Sequence, residues 1–330
     1  MNKVYFAKNI EKIIENIDYS KLGQKVAIKV HFGEAGCTTY MDPKLVKKIY
    51  EKIESLGKKA TLVECNVLYK GSRTNTKDHL KTAKDHGFNN MDIDILDGEN
   101  GEKFVEIKNC KLGADIKKYD SLVVISHFKG HGMAGFGGAI KNVGMGLGSR
   151  AGKLDMHSNV KPFIDFSNCV GCGICANNCD ANAITISNGK AYIDDTKCIG
   201  CAMCIAVCPH HAACVPWDGG TSKSLQKKIA QYSKAVLSLF PHPIFINILE
   251  KITKDCDCRG SSQKQIINDI GIVYSTNIVA IDKASLDLVN KFSNNKFNKI
   301  NDVDKQNQLK IATKLKLGNT KYQLINIDEI

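Results

Sequence analysis

Eight cysteines of this chain fall into two runs of one spacing. Cys169, Cys172, Cys175 and Cys179 form C-x2-C-x2-C-x3-C, and Cys198, Cys201, Cys204 and Cys208 repeat it. Three thiolates on a tight turn can meet three corners of one iron–sulfur cube, while the fourth points away and serves the other cube. The spacing therefore predicts two 4Fe–4S clusters with crossed ligands. Cys169, Cys172, Cys175 and Cys208 would hold one, and Cys198, Cys201, Cys204 and Cys179 the other. Zinc sites draw on separated cysteine pairs, which this triple-plus-one spacing is not. Pro209 follows the second run where Asp180 follows the first, so the two environments should differ slightly. Such clusters pass single electrons, and four cysteine ligands leave no iron reserved for substrate. Substrate chemistry has to be sought elsewhere in the chain.

The next informative stretch is Ser126 to Ser158, SHFKGHGMAGFGGAIKNVGMGLGSRAGKLDMHS, with eight glycines between Gly130 and Gly148. Glycines let the backbone approach a ligand and present N–H groups to phosphate or carboxylate. Gly135, Gly137, Gly138, Lys141 and Arg150 are accordingly expected to bind a cofactor. Nucleotide motifs fit poorly: Gly152-Lys153 lacks the spacing and the Ser/Thr of a phosphate loop, and Gly146-Leu147-Gly148 is only a fragment of a dinucleotide fingerprint. His127, His131 and His157 lie within 31 residues of one another, where a histidine can ligate metal or transfer protons and a lysine can bind an anion or form a covalent link. Cys256-Asp257-Cys258 reads either as a metal or redox pair or as two free thiols in a loop. Glu64 and Arg73 read as a solvated pair near the same crevice, and Cys37, Cys65, Cys110 and Cys214, without spacing partners, as structural.

These residues need elements to position them. Residues 1–162 alternate strand-like and helical runs. Lys25–His31, Ala60–Glu64, Met91–Leu96 and Ser121–Ser126 read as strands, and Pro43 opens a helix through Leu56. The apolar SLVVIS run belongs at a sheet centre. The pattern returns after the cysteines with a helix at Leu225–Phe240, strands at Pro243–Ile252 and Ile270–Tyr274, helices at Val279–Val289 and Val303–Leu315, and a last strand at Tyr322–Ile327. The expected fold is α/β, a parallel or mixed sheet flanked by helices. It is interrupted at residues 163–216 by a ferredoxin-type domain and resumed over 217–330. Asn188-Gly189 should turn the small hairpin of that insertion.

Composition narrows the partners. The 330 residues are 43% hydrophobic, as in ordinary globular proteins. Fourteen cysteines in a long chain without a secretory start point to metal in a reducing cytoplasm rather than to disulfides. Apolar runs such as Leu122–Ile125 fall far short of the roughly 20 residues that cross a bilayer. The formal charge of +12 drops to about +8 once each cluster contributes about −2. The lysines are also scattered rather than gathered with aromatics, which disfavours nucleic acid. An electron donor or acceptor protein, and a small-molecule substrate, are the expected partners.

The chain resembles an uncharacterised family of iron–sulfur centre proteins, on KVHFGE at Lys29, LYKGSRTNT at Leu68, SHFKGHGMAGFGGAIKNVGMG at Ser126, the CDC at Cys256 and DIGIVYS at Asp269. A more distant resemblance is to nickel-pincer lactate racemases, through Ala134-Gly135-Phe136-Gly137-Gly138-Ala139-Ile140-Lys141, with His131 ten positions before Lys141 and His157 sixteen after it. That likeness implies His131 as acid/base, Lys141 as tether of an organic cofactor and His157 as metal ligand. Asn142-Val143-Gly144 departs from the proline-glycine ending of those enzymes. The reading that unites these features is an oxidoreductase whose ferredoxin segment feeds a Gly/His/Lys pocket, with His131 and Lys141 catalytic. A non-catalytic electron-transfer or regulatory protein, and a racemase-like metalloenzyme with an accessory ferredoxin, are the alternatives.

Overall fold

The computed structural model describes residues 1–157, 161–217 and 219–329. Its main sheet has eight strands in the order Tyr322–Asn326, Asn2–Ala7, Gly271–Ser275, Ile244–Leu249, Ser121–His127, Lys25–Lys29, Lys59–Glu64, Ile93–Ile95. From Ile244–Leu249 onward every neighbour is parallel. Gly271–Ser275 runs antiparallel to both of its neighbours, and Tyr322–Asn326 pairs in parallel with Asn2–Ala7. The expected mixed α/β class is thus the observed one, and the apolar Ser121–His127 run does lie inside the sheet.

Burial alternates along these strands. Val26, Ile28, Val123 and Ile125 pack on one face with Val46, Ile49 and Ile53 of the Pro43–Ser55 helix. Ala27, Leu122 and Val124 pack on the other face with Ile229 and Val236 of the Ser222–Leu237 helix and Ile281 of the Ile278–Phe292 helix. A period of two with both faces covered explains why these strands read as continuous apolar runs. Helix starts follow their caps: Asp42 accepts from Lys44 N ahead of Pro43, and Thr221 and Ser224 form a reciprocal capping box.

Chain direction makes a crevice. After Lys25–Lys29 the chain moves outward through Lys59–Glu64 to Ile93–Ile95, then returns to place Ser121–His127 on the other side of Lys25–Lys29. Loops leaving these two adjacent strands diverge, and such a switch point at the carboxyl ends is where open α/β sheets take ligands.

Residues 161–217 build a separate small unit. Phe163–Ile164 pairs antiparallel with Ala213–Cys214, so the two ends of the cysteine-rich segment are adjacent. Inside it, Ile184–Ser187 and Lys190–Ile193 form the hairpin, with Asn188 at φ 48° and Gly189 at φ 70°, as a two-residue type I′ turn requires.

The glycine-rich stretch differs from its expected role; its last residue, Ser158, lies outside the described residues. The short helix Ala139–Gly144 begins at Gly138, but Asp282 occupies that end, accepting from Ala139 N at 2.7 Å and Ile140 N at 2.9 Å. A Cβ on Gly138 would lie 2.4 Å from the Asp282 carboxylate, so the missing side chain makes room for this carboxylate. Burial pushes the Asp282 carboxyl up to about 6, against the pull of Ile140 N–H, Asn247 and Ala139 N–H. A carboxyl raised in the folded state stabilises most in acid and loses that contribution as pH rises through about 6. Asp282→Ala should therefore cost about 3 kcal/mol in urea unfolding at neutral pH, because it strands two buried N–H groups. The loss should be larger at pH 5; an equal or smaller loss there would contradict this account.

Candidate functional site

A cavity of about 250 Å³ opens at the switch point. The strand ends supply His31, Glu64, Ser126 and His127, and the loop after Ile244–Leu249 supplies Cys256, Asp257 and Cys258. From the glycine-rich stretch come His131, Gly137, Gly138, Lys141, Lys153 and His157. His131, Lys141 and His157, spread over 27 residues, thus line one space. Gly135 and Arg150 do not line it. A Cβ on Gly135 would meet Lys305 Cγ at 2.9 Å. Arg150 is buried with Nε on Asn100 O at 2.7 Å and a second guanidinium nitrogen on Thr74 O. Their expected cofactor contacts are replaced by packing.

The floor is a buried charge cluster, where the sequence alone predicts a solvated pair. Glu64 accepts an ion pair from Lys29 at 2.8 Å and faces Arg73 at 3.7 Å, all three nearly inaccessible. Arg73 also bonds Glu34 at 3.3 Å and donates to Tyr69 Oη at 2.6 Å. Burial lowers the Lys29 amine, which Glu64 partly restores. Burial also keeps His31 well below the usual imidazole range, reinforced by Arg73 and Lys29. The missed signal was a lysine inside an apolar strand, Lys29 between Val26 and Val30, and a glutamate at the end of the next.

Lys141 reaches this cluster from the helix Ala139–Gly144. Burial lowers its amine to about 8; Lys29 and Arg73 push the same way, whereas Glu64 and Asp257 oppose. His131 accepts at Nδ1 from Met133 N at 3.2 Å and Ala134 N at 3.0 Å, so the neutral ring carries its hydrogen on Nε2. Burial, then Lys141, holds it well below the ordinary imidazole range. His157 stands edge-on to Trp217 at 5.1 Å, and its Nδ1 has no partner among the described residues. Burial, then Lys141, lowers it to about 4.

Asp257 fixes the cysteine loop. Its carboxylate meets His127 Nδ1 at 2.7 Å and Lys129 Nζ at 2.5 Å, and its carbonyl accepts from Glu34 N at 2.8 Å. Burial raises this carboxyl, but His127 and Lys129 outweigh it and hold it at about 2. The anchor turns Cys256 and Cys258 toward the cavity, where they are joined as a disulfide. The pair is thus not the two free thiols of one expected reading, and Cys65, expected to be structural, lines the same wall.

In the small unit the eight cysteines sort into two cavities. Cys169, Cys172, Cys175 and Cys208 line one; Cys179, Cys198, Cys201 and Cys204 line the other. Backbone N–H groups point at three of the sulfurs: Ala191 N at Cys169, Ala183 N at Cys179 and Ala212 N at Cys208, at 3.2–3.3 Å. Leu68 lines the large cavity and packs in the same apolar cluster as Cys169, Cys175, Cys204 and Cys208. Lys70 donates to Cys208 O at 2.6 Å. His157 and Trp217, on the chain entering and leaving the small unit, both line the large cavity.

The sequence profile of a family described as "Domain of unknown function (DUF362)" matches residues 26–287. No curated protein matches the chain. Among solved structures, the lactate racemase apoprotein from Thermoanaerobacterium thermosaccharolyticum is similar at 14% identity and a TM-score of 0.43, over 88% of this chain. The chain spans 58% of the length of that structure.

The charges around Lys141 make a direct prediction. Amine labelling followed by mass spectrometry across pH should give Lys141 a midpoint of about 8, below that of exposed lysines. Glu64→Gln removes an opposing carboxylate and should move the midpoint lower still, in protein that keeps its circular dichroism. A midpoint in the range of exposed lysines would contradict the buried, cation-crowded setting.

Proposed function

This chain belongs to the DUF362 family, a domain of unknown function, and from its own residues we propose that it is an iron–sulfur oxidoreductase. Residues 163–216 act as an inserted ferredoxin-type domain binding two 4Fe–4S clusters, and the cavity at the sheet switch point takes the substrate. The observation that carries this reading is the crossed sorting of the cysteines, because Cys208 lies with the first run and Cys179 with the second. Four thiols facing one small space suit a cationic cluster core, and N–H groups aimed at the sulfurs are the contacts that tune cluster potential. Bound there, the clusters would supply one-electron transfer.

The chain's own residues define the rest. Leu68 packs with four of the cluster cysteines and lines the cavity, and His157 and Trp217, which flank the small unit in sequence, line it too, so packed side chains connect the two. Among the lining residues Arg73, Lys141 and Lys153 face Glu64 and Asp257, and Lys29 lies just beneath. A net cationic wall of this kind favours an anionic substrate. His131 offers Nε2–H as a donor, and Lys141 an amine close to neutrality for proton transfer. Cys172 is exposed beside Val170, 58% accessible, which presents one cysteine cavity to an electron-donor protein. No helix among the described residues is long and apolar enough to cross a membrane; thiols kept free for clusters suit a reducing compartment, and on that ground we place the protein in the cytoplasm.

A second reading, a racemase-like metalloenzyme with an accessory ferredoxin, is favoured by one observation: His131, Lys141 and His157 line the same cavity. In it Lys141 would tether an organic cofactor and His157 would hold a metal. The intact mass of the anaerobically purified chain separates the two, since a tethered cofactor adds mass at Lys141.

Cysteine variants test the leading reading. Reconstituted wild type should hold about eight iron and eight acid-labile sulfide per chain. Cys175→Ser and Cys208→Ser should each damage the same cluster, so the double variant should lose no more iron than either single one. Cys175→Ser with Cys204→Ser should damage both. Additive loss in the first pair, or stoichiometric zinc without charge-transfer absorption, would overturn the assignment.

A further inference from the structure

We propose that Cys256 and Cys258 form a redox-active disulfide that receives two electrons through the cysteine-rich unit. The proposal rests on the iron–sulfur reading above and names the first acceptor within the cavity. Three observations carry it. Twelve of the fourteen cysteines are free and only this pair is bonded. The bond spans a sequence separation of two, and the smallest loops give the least chain-entropy stabilisation. The loop is held without it: Asp257 is locked by His127 and Lys129, and Tyr69 Oη donates to Cys258 O at 3.2 Å. A disulfide with little stabilising role, half-buried on a cavity wall, is placed to react.

The surroundings suit reduction better than metal binding. A ring nitrogen of His131 and the two Sγ atoms lie within 4.8 Å of one another, a grouping that could also hold a metal ion. However, backbone N–H groups of Met133 and Ala134 occupy His131 Nδ1, which puts the ring hydrogen on Nε2. A ligating nitrogen must be free of hydrogen, so each ring nitrogen is already committed. In the balanced step the S–S bond breaks, two electrons enter one at a time, and two protons come from solvent to give two thiols. Each of the two reduced clusters is oxidised by one electron, and a low-potential one-electron carrier protein restores them. One two-electron acceptor thus matches two one-electron carriers.

The test is an anaerobic reductive titration with dithionite of the reconstituted full chain, isolated without added thiols, with alkylation and peptide mass mapping at each stage. Iron and sulfide content are measured first, so absent clusters would show the iron–sulfur reading itself to be wrong. With both clusters present, wild type should take up about four electron equivalents per chain, one for each cluster and two for the disulfide. Cys258→Ser, with its cluster spectrum intact, should take up about two. Cys256 and Cys258 should become alkylated only after reduction. Closure of the wild-type titration at about two equivalents, or a stoichiometric second metal that shields both thiols, would overturn the proposal while leaving the clusters in place.

Discussion

Glu64, helped at Arg73 by Glu34, has to neutralise two buried cations at the carboxyl ends of the sheet strands. Lys29 and Arg73 are both almost inaccessible and both face it, and Arg73 completes its contacts on Glu34 and Tyr69. Desolvating such charges is costly, and removing one partner of a buried pair typically costs about 3–5 kcal/mol because the other is left uncompensated. The rest of the cavity follows from this balance. Glu34 draws in Ser72 and Tyr69, Tyr69 reaches the carbonyl of Cys258, and the backbone N–H of Glu34 holds Asp257. The strand end that satisfies the cations therefore also fixes the position of the cysteine loop. Burial lowers Lys141 and His31, and the neighbouring cations push the same way.

A second constraint joins the two parts of the molecule. The ends of the cysteine-rich segment pair as Phe163–Ile164 with Ala213–Cys214, so the sheet can accept it without displacing a strand. His157 and Trp217, which flank the cysteine-rich segment in sequence, are part of the cavity wall. Leu68 then fills the space between the wall and the cysteines.

The regular elements were legible because their signals are local. Alternating burial wrote Val26–Lys29 and Leu122–Ile125 as strands, Asp42-Pro43 announced a helix, and Asn188-Gly189 announced a turn. The cysteine grouping was legible because spacing alone limits which sulfurs can meet. In the glycine-rich stretch Gly135 and Arg150 depart from the expected cavity lining, because their partners come from Lys305 and the carbonyls of Thr74 and Asn100, far away in sequence. Long-range packing leaves no local mark. The buried state of Glu64 and Arg73, and the anchoring role of Asp257, were hidden for the same reason: charge pairs are recognised only once the chain has brought them together.

The account stands or falls on what the two cysteine cavities hold. Iron-edge anomalous diffraction from anaerobically grown crystals tests it most directly. Two four-iron densities are predicted, one enclosed by Cys169, Cys172, Cys175 and Cys208 and the other by Cys179, Cys198, Cys201 and Cys204. Zinc signals, a single metal per cavity, or clusters bound by four consecutive cysteines of one run would contradict it.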